Sequence, residues 1–571
     1  MSTAAVRVGA TRLRLGVSAD VLAAGGLVVL AGTLALLTWG AWGDLDSDTG
    51  YDLIAGARLA DGELPYNDFT YYYGPLAPAL AGLAALIGGN GIGPAVALGF
   101  LLAAAIIGAT YALARSFVEP LGAFLAAAIT AAVAFTPNNY GYVLPHTYGA
   151  TLGTLLLLCF LLGLARFPRT ERPGWLLGAG ASAGLVALTK PEVAAAALAA
   201  AAAWLVLGRS RREAALLLVP AVAIPAAVYG VFAAAVGAHD LLLENLWPRD
   251  ELAAGGDEML RARMPMDVES IAKVGGRFVL YAAGAAALVW YAREIGRGRK
   301  WLLAGGVIAA ALAVLVCAAK PDGLRDGFYY AWGWIPVGAV VAIGYVLYRK
   351  RGRLELAAAV ALAVVAATTY AFTLHGWRPQ MSVYYAPLAA ILLVRLHTVE
   401  LARTHAAYAV GAIWVAFLAA GGAYLALDEA GRDTVTVRGP GGSLAEAPAE
   451  AALYQRALDE IAARTDPGEK IFVTPLMTGL YVLSGHDSPL RQISSLPTAL
   501  PEPADERAAI ARLDAAPVKL VITDSRSWKG YGHTTFGDSF QRDVAAWVER
   551  DFERATTIPG TDGRTLEVWV R

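Results

Sequence analysis

The stretch that decides the fold is VLAAGGLVVLAGTLALLTWG at residues 21–40, followed at once by AWGDLDSDTGYD at residues 41–52. The first segment is apolar over about 20 residues, the length that crosses about 30 Å of hydrocarbon as a helix. Trp42 follows it, and tryptophan is typical of membrane interfaces. The competing interpretation is a signal peptide, whose apolar region would be shorter, about 7–15 residues, with a small-residue cleavage site. The sequence therefore favours an uncleaved first membrane span.

The composition extends this prediction to most of the chain. Of 571 residues, 57% are hydrophobic and 16% are charged, whereas soluble proteins have about 45–50% apolar and about 25% charged residues. The apolar residues lie in long runs, which predicts one large α-helical membrane region with about thirteen transmembrane helices. The other twelve runs lie near residues 93–114, 121–135, 147–165, 175–189, 193–207, 214–236, 278–291, 301–318, 331–348, 354–374, 383–394 and 406–427. Residues 75–87 are interpreted as an interfacial or re-entrant helix.

The distribution of Lys and Arg predicts the orientation. Short cytoplasmic loops carry an excess of these residues. If the N-terminus is cytoplasmic, compact basic clusters fall in alternate loops, near Arg115, Arg169, Arg211, Arg297, Arg351 and Arg395. The opposite loops are longer and mix acids, aromatics and proline. The odd number of spans then places the C-terminal tail outside the cytoplasm.

The tail has a different pattern, which predicts a second domain. Residues 428–449 are rich in Gly, Pro, Ala and Glu and are interpreted as a linker. Residues 450–571 are predicted to form a small soluble α/β domain, and residues 1–427 the membrane domain. Within the tail, helices are predicted at 451–464 and 544–552, and strands at 470–474, 518–523 and 565–570.

The most informative segment for function is the first outer loop, residues 41–92. Asp44, Asp46, Asp48 and Asp52 fall within nine residues, directly after the first span. A solvated acidic loop is the plain alternative. Aromatic, Gly and Pro residues surround the acids, however, and crowded carboxylates near a low-dielectric boundary raise one another's pKa, which suits a general base.

The loop resembles that of a known family. An acid after the first span is followed by ARLADGELPYNDF at residues 57–69 and YYYGPL at residues 71–76. This pattern is similar to that of the GT-C glycosyltransferases, and most similar to the bacterial group allied to protein mannosyltransferases and aminoarabinose transferases. The resemblance implies many spans, an active site in the first outer loop and an outer C-terminal domain. The architecture that it implies therefore extends over the whole chain.

The resemblance also implies a mechanism. The donor would be a sugar on a polyprenyl phosphate, which is a good leaving group and needs cations to hold its charge. The acceptor hydroxyl needs a base on the opposite face of the sugar, so one carboxylate can support an inverting displacement. Alignment places the catalytic acid on Asp48, with Asp46 as the nearest competitor. The further alternatives are Asp44, Asp52 or none of these acids. Many members have Asp-Glu where this chain has Asp48-Thr49.

Cations for the donor phosphate are expected at the outer ends of other spans. Lys190 interrupts an apolar region together with Glu192, and ionisable residues at such places tend to be functional or paired. Arg378 is suited to bidentate phosphate binding, although an interfacial arginine is the alternative. The remaining donor-phosphate candidates are His146, Lys320 and Arg325. The candidates for acceptor or substrate contacts are Glu192, Tyr51, Tyr72, His375, Trp377 and Tyr384.

The expected partners are a polyprenyl-phosphate sugar, membrane lipids and an acceptor that is a lipid, a glycan or a protein. The 46 basic and 47 acidic residues form no basic stripe, so no nucleic-acid partner is expected. Asp-x-Asp at residues 44–48 fits a divalent-metal pattern, but Arg and Lys can hold a lipid monophosphate, so no obligatory metal or other cofactor is expected. We expect a monomer. The rival hypotheses are a flippase for lipid-linked saccharides, which would need polar residues near mid-membrane, and a non-catalytic scaffold.

Overall fold

The computed structural model describes residues 18–246 except 47, 138–140 and 209, scattered positions between 268 and 308, residues 334–348, 352–373 and 384–396, and residues 433–571 except 562. Before residue 400, the described elements are helices. The first nine are α1 (Ala19–Leu37), α2 (Asp48–Ala60), α3 (Leu76–Gly88), α4 (Ile92–Ala114), α5 (Pro120–Ala134), α6 (Tyr148–Thr170), α7 (Pro173–Val186), α8 (Pro191–Val206) and α9 (Arg211–Val236). They are followed by a π-helix (Asp240–Leu246), and then by α10 (Trp334–Tyr348), α11 (Arg353–Thr373) and α12 (Ala386–Leu396).

Four helices in the described part are long and apolar enough to cross a membrane: α1, α4, α6 and α9. The most apolar stretch of α6 is 78% buried and therefore lies centrally, whereas that of α9 is only 6% buried. A water-soluble protein would bury an apolar helix surface of this size. The exposed apolar surface of α9 is therefore suited to contact lipid. The chain is thus a multi-pass membrane protein. Predicted spans at 278–291, 301–318 and 406–427 lie outside the fully described ranges, and the count of thirteen stays a prediction.

The basic clusters meet at one end of the helical bundle. Arg115, at the end of α4, pairs with Asp20 at the start of α1 at 2.8 Å. Arg353, at the start of α11, pairs with Glu213 in the first turn of α9 at 3.0 Å. Arg395, in the last turn of α12, pairs with Glu355 at 2.8 Å. These helix ends lie on the same side, as expected from the alternation of basic loops.

The acidic loop is largely helical, which the sequence analysis did not predict. Asp48 is the first residue of α2, which packs against α3. The buried residues of α2 include polar ones such as Thr49, Asp52 and Arg58, so the helix lacks the apolar stripe by which amphipathic helices are recognised. The segment 75–87 is the helix α3, as expected.

The tail contains helices and two sheets. Its elements are β1 (Val435–Gly439), β2 (Gly442–Glu446), α13 (Pro448–Arg464), β3 (Phe472–Thr474), α14 (Thr478–Ser484), α15 (Pro503–Ala515), β4 (Leu520–Asp524), α16 (Arg542–Asp551), β5 (Glu553–Pro559) and β6 (Thr565–Val570). The larger sheet has the order β3-β4-β6-β5. β3 runs parallel to β4, and β6 runs antiparallel to both β4 and β5. All five predicted helices and strands of the tail are present within a few residues of their expected bounds.

The segment interpreted as a linker contains structure as well. Within residues 428–449, β1 and β2 form an antiparallel hairpin, in which Val437 pairs with Leu444 and both side chains are buried. Gly442 adopts a φ of 130° at the turn, a conformation that glycine tolerates. The turn also accepts a hydrogen bond from the backbone N–H of Ile92 at 2.9 Å. The Gly/Pro content therefore marks a tight turn and a contact with α4 instead of a flexible connection.

Candidate functional site

The carboxylate of Asp48 lies at the N-terminus of α2, where the helix dipole favours a negative charge. The hydroxyl of Tyr73 donates a hydrogen bond to its Oδ2 atom at 2.6 Å. Nε2 of His146 lies 3.4 Å from the same oxygen. The Asp48 side chain is 32% exposed, so it remains accessible. Its position is fixed by Tyr73 from later in the same outer loop and by His146 from the segment before α6.

Lys190 contacts the ring of Tyr73, the residue whose hydroxyl bonds Asp48. Its Nζ is 4.1 Å from the centre of the Tyr73 ring and 5.9 Å from that of Tyr384. The lysine is only 3% exposed and is close enough to Asp48 and Glu192 to interact electrostatically with both. A buried ammonium needs such compensation, because an isolated charge is costly to remove from water. Asp48 and Lys190 therefore belong to one charged cluster, and the cavity that they are expected to share with Arg378 stays a prediction.

Backbone hydrogen bonds hold this cluster together. The N–H groups of Gly74 and Leu76 donate to the carbonyls of Thr189 and Leu188 at 2.8 and 3.1 Å. This fixes the loop that carries Tyr73 against the turn between α7 and α8 that presents Lys190. A Cβ atom at Gly74 would lie 2.2 Å from the Leu188 backbone. Only glycine permits this close approach, which gives the YYYGPL segment a structural role.

Glu192 and Tyr384 extend the cluster. Tyr384 lies two residues before the start of α12 and is 1% exposed, with its ring near Lys190. Oε2 of Glu192 is buried and has no hydrogen-bond partner among the described residues. A buried carboxylate oxygen without a partner is rare in folded proteins. It is thus available to a hydroxyl or ammonium group of a bound molecule.

Asp52 lies one turn beyond Asp48 and is fully buried. Its carboxylate accepts hydrogen bonds from the hydroxyls of Tyr71 and Thr147 at 2.6 and 2.8 Å, and from the N–H of Tyr148 at 2.6 Å. It joins α2 to the start of α6. Burial and, to a smaller extent, the nearby charge of Asp48 raise the pKa of Asp52 to about 6. The three hydrogen bonds lower this pKa but do not outweigh burial.

The raised pKa of Asp52 predicts a pH-dependent stability. Because folding raises this pKa from 3.8 to about 6, the protonated carboxyl stabilises the fold below about pH 4, and this contribution is lost as the pH rises through 6. We expect the melting temperature of the wild type to fall, relative to that of Asp52→Asn, between pH 4.5 and 7.5. Thermal unfolding of the two proteins in detergent measures this. Parallel profiles would show that Asp52 does not titrate in this range.

Asp46 and Asp44 face the tail. Asp46 pairs with Arg526 at 2.8 Å and accepts a hydrogen bond from the hydroxyl of Tyr454. Asp44 Oδ1 accepts the backbone N–H of Asp46 at 3.1 Å. Of the four acids, only Asp48 is thus placed beside both His146 and Lys190 in the described structure.

Tyr51 and Tyr72 stack near Asp52. The ring centre of Tyr51 lies 5.4 Å from that of Tyr71 and 6.1 Å from that of Tyr72. The Tyr51 hydroxyl donates to the carbonyl of Thr70 at 2.8 Å. Their predicted substrate contacts stay predictions. The predicted residues Arg378, His375, Trp377, Lys320 and Arg325 lie outside the described residues.

Sequence reasoning missed Tyr73, whose hydroxyl donates a hydrogen bond to Asp48 at 2.6 Å. The sequence shows three consecutive tyrosines. It does not indicate that Tyr73 bonds Asp48 whereas Tyr71 bonds Asp52. As for metals, no group of three His, Cys, Asp or Glu side chains within the described ranges is arranged to hold an ion. The expectation that no metal is required stays a prediction.

One family matches part of the chain. Residues 73–235 match the family described as dolichyl-phosphate-mannose-protein mannosyltransferase. The match begins at Tyr73 and includes His146, Lys190 and Glu192, but not Asp48. It confirms the resemblance to membrane glycosyltransferases and the enzyme class expected from it, and it shares only the YGPL residues 73–76 with the segments that suggested the resemblance. Among curated proteins, none matches this sequence.

Several solved structures are similar to this chain at low identity. The oligosaccharyltransferase of Archaeoglobus fulgidus, in complex with Zn and sulfate, has 17% identity and a TM-score of 0.46, over 87% of this chain and 67% of that one. ArnT from Cupriavidus metallidurans, bound to undecaprenyl phosphate, has 14% identity and a TM-score of 0.41, over 95% and 98%. The mycobacterial arabinofuranosyltransferase AftD has 14% identity and a TM-score of 0.41, over 96% and 40%.

Proposed function

We propose that this protein is an inverting glycosyltransferase that moves a sugar from a polyprenyl-phosphate donor to an acceptor hydroxyl at the outer face of the membrane. The observation that carries the proposal is the cluster of Asp48, Tyr73, His146 and Lys190. It joins an accessible carboxylate and a buried cation, which are the two charges that the reaction needs. The family match supports the donor class, because the matched family is described by a dolichyl-phosphate sugar.

Asp48 is the proposed general base. It would accept the proton of the acceptor hydroxyl as that oxygen attacks the anomeric carbon and the bond to the donor phosphate breaks. Tyr73 and His146 hold the carboxylate by its Oδ2 atom. A base whose position is fixed in advance needs little reorganisation during the reaction, and this contributes to the rate.

Lys190 is the proposed contact of the donor phosphate. Its Nζ is stabilised by two tyrosine rings and by two carboxylates instead of water. An ammonium in such surroundings interacts strongly with an added anion, since solvent screens it little. Arg378, Lys320 and Arg325 remain proposed as further phosphate ligands, with His146 in a position to approach the same group. Glu192, with its buried oxygen, is proposed to contact the acceptor or the sugar.

The proposed orientation places the Asp48 cluster outside the cytoplasm. The paired arginines Arg115, Arg353 and Arg395, at the end of α4, the start of α11 and the end of α12, support this, because an excess of basic residues indicates the cytoplasmic side. The cluster lies at the opposite ends of the helices, near α2 and the tail. A flippase is not favoured, because the described ionisable residues concentrate at helix ends and not along a path through the bundle.

Lys190→Gln tests the assignment of the donor phosphate. Loss of a charged hydrogen bond costs about 1.5–3 kcal/mol, so we expect the KM for the donor to rise about 10- to 150-fold. The KM for the acceptor should change much less. Steady-state transfer with purified protein and a panel of polyprenyl-phosphate sugars gives both constants. Lys529→Gln is the matched control, since Lys529 is exposed in the tail. An unchanged donor KM would remove Lys190 from the phosphate site.

A further inference from the structure

The tail contacts α2 at both of its ends. At the end that carries Asp48, the hydroxyl of Thr478 donates to the carbonyl of Leu45, and Arg526 pairs with Asp46. At the other end, the Arg58 guanidinium bonds Asp487 and the carbonyls of Ser488 and Leu490 at distances of 2.7 to 3.1 Å. The short helix therefore has its position defined by residues more than 400 positions later in the chain.

The contact at the first turn of α2 is close. A Cβ atom at Gly50 would lie 2.1 Å from the Leu45 carbonyl and 2.5 Å from the Thr478 hydroxyl. A Cβ atom at Gly479 would lie 2.8 Å from the Leu45 side chain and 3.0 Å from the Tyr454 hydroxyl. The absence of side chains at these two glycines thus allows α2 and α14 to pack in direct contact. A small shift of the tail would therefore displace the segment that precedes Asp48.

The charges at this contact are matched and mostly buried. The Asp46 side chain is 13% exposed, and Arg526 and Arg564 lie 2.8 and 3.8 Å from it. Asp524, which is buried, pairs with the same two arginines at 3.2 and 2.9 Å. The loop from Asp44 to Asp48 is therefore attached on its Asp46 side to β4 and β6 of the tail, while Asp48 faces the membrane helices.

From this arrangement we infer that Arg526 and Thr478 are positioning residues, which set the place of Asp48 by fixing Asp46 and Leu45. The inference rests on the proposed function in so far as it concerns transfer. It assigns to the tail the role of holding Asp48 in place, which is distinct from recognition of the acceptor. A rigid support matters here, because a displacement of about 1 Å at a reacting group can cost about 100-fold in rate.

Arg526→Met tests the positioning role. Asp46 and Asp524 both keep Arg564 in this variant, so no carboxylate of the cluster loses all its cations. We expect kcat to fall at least about tenfold with the KM for the donor unchanged. We also expect faster amide hydrogen exchange in the first turn of α2. Arg526→Lys should restore part of kcat, since it keeps the charge.

Arg554→Met is the matched control. Arg554 pairs with Glu567 within the tail sheet, and is 55% exposed, so this variant should alter neither kcat nor exchange in α2. If Arg526→Met fails to fold, Tyr454→Phe removes only the hydroxyl that donates to Asp46 and should accelerate the same exchange. Unchanged exchange and unchanged kcat in a folded Arg526→Met would overturn the inference. Accelerated exchange in a chain whose wild type transfers no sugar would support the positioning contact and refute the proposed function.

Discussion

Asp48→Asn is expected to abolish most sugar transfer while the protein still folds. The amide is isosteric with the carboxylate, and its oxygen can still accept the hydrogen bond from Tyr73. It cannot accept a proton from the acceptor hydroxyl. Removal of a positioned base typically costs about 10²- to 10⁴-fold, so we expect kcat to fall within that range. Transfer with purified protein and a polyprenyl-phosphate sugar measures the loss, with thermal unfolding as the check on folding.

Asp61→Asn is the matched control for this variant. It makes the same change at an exposed aspartate just beyond the end of α2, and we expect it to retain wild-type activity. Asp46→Asn separates the two candidates of the acidic loop. If it lowers kcat as much as Asp48→Asn does without loosening the contact with the tail, the base is Asp46. Full activity of Asp48→Asn would exclude Asp48 from the chemistry.

Arg58→Met is expected to have the largest effect on stability. Arg58 is 4% exposed, and its guanidinium makes two hydrogen bonds to carbonyls in addition to its pairing with Asp487. The variant leaves the two buried carbonyls without their donor, which costs about 1–3 kcal/mol each, and it takes from Asp487 the more buried of its two cations, so we expect a destabilisation of about 3–5 kcal/mol. We expect that loss in the free energy of unfolding and a lower yield in the membrane. Chemical unfolding followed by tryptophan fluorescence measures the first.

Lys470→Met is the control, because Lys470 pairs with the same carboxylate of Asp487 at 2.9 Å but is 40% exposed. Exposed ion pairs contribute about 0–1 kcal/mol, so this variant should be nearly as stable as the wild type. Burial opposes ionisation of Asp487, but Arg58 and Lys470 hold its pKa below the usual value. The stability that this pair contributes is thus present above about pH 4 and is lost at lower pH. Equal losses in the two variants would argue against a special role for Arg58.

The long apolar helices could be predicted from the sequence because their hydropathy is local information. α1, α4, α6 and α9 lie within a few residues of the predicted spans. α2 could not be predicted in this way. Its stability depends on polar side chains, such as Asp52 and Arg58, that are buried against partners far away in the chain. A helix held by such contacts has no signature in its own residues.

The candidate site also contains residues that the sequence indicated and residues that depend on distant contacts. Asp48, Lys190 and Arg378 were expected to face one cavity. The structure brings Asp48 and Lys190 into one cluster around Tyr73, Arg378 lies outside the described residues, and the shared cavity stays a prediction. Tyr73 and the contact of Asp46 with Arg526 were not foreseen. The partners of Asp48 and Asp46 depend on the three-dimensional arrangement of the chain. The sequence contains several other tyrosines and arginines that could have formed the same contacts.

The pairing of Asp46 with Arg526 joins residues 480 positions apart. Contacts of such sequence separation form late, since the intervening chain must first be made and folded. During biosynthesis the first two membrane helices leave the ribosome long before the tail does. We therefore expect nascent chains that have been inserted but not yet fully translocated to be inert, so that sugars are transferred only by molecules whose assembly in the bilayer is complete.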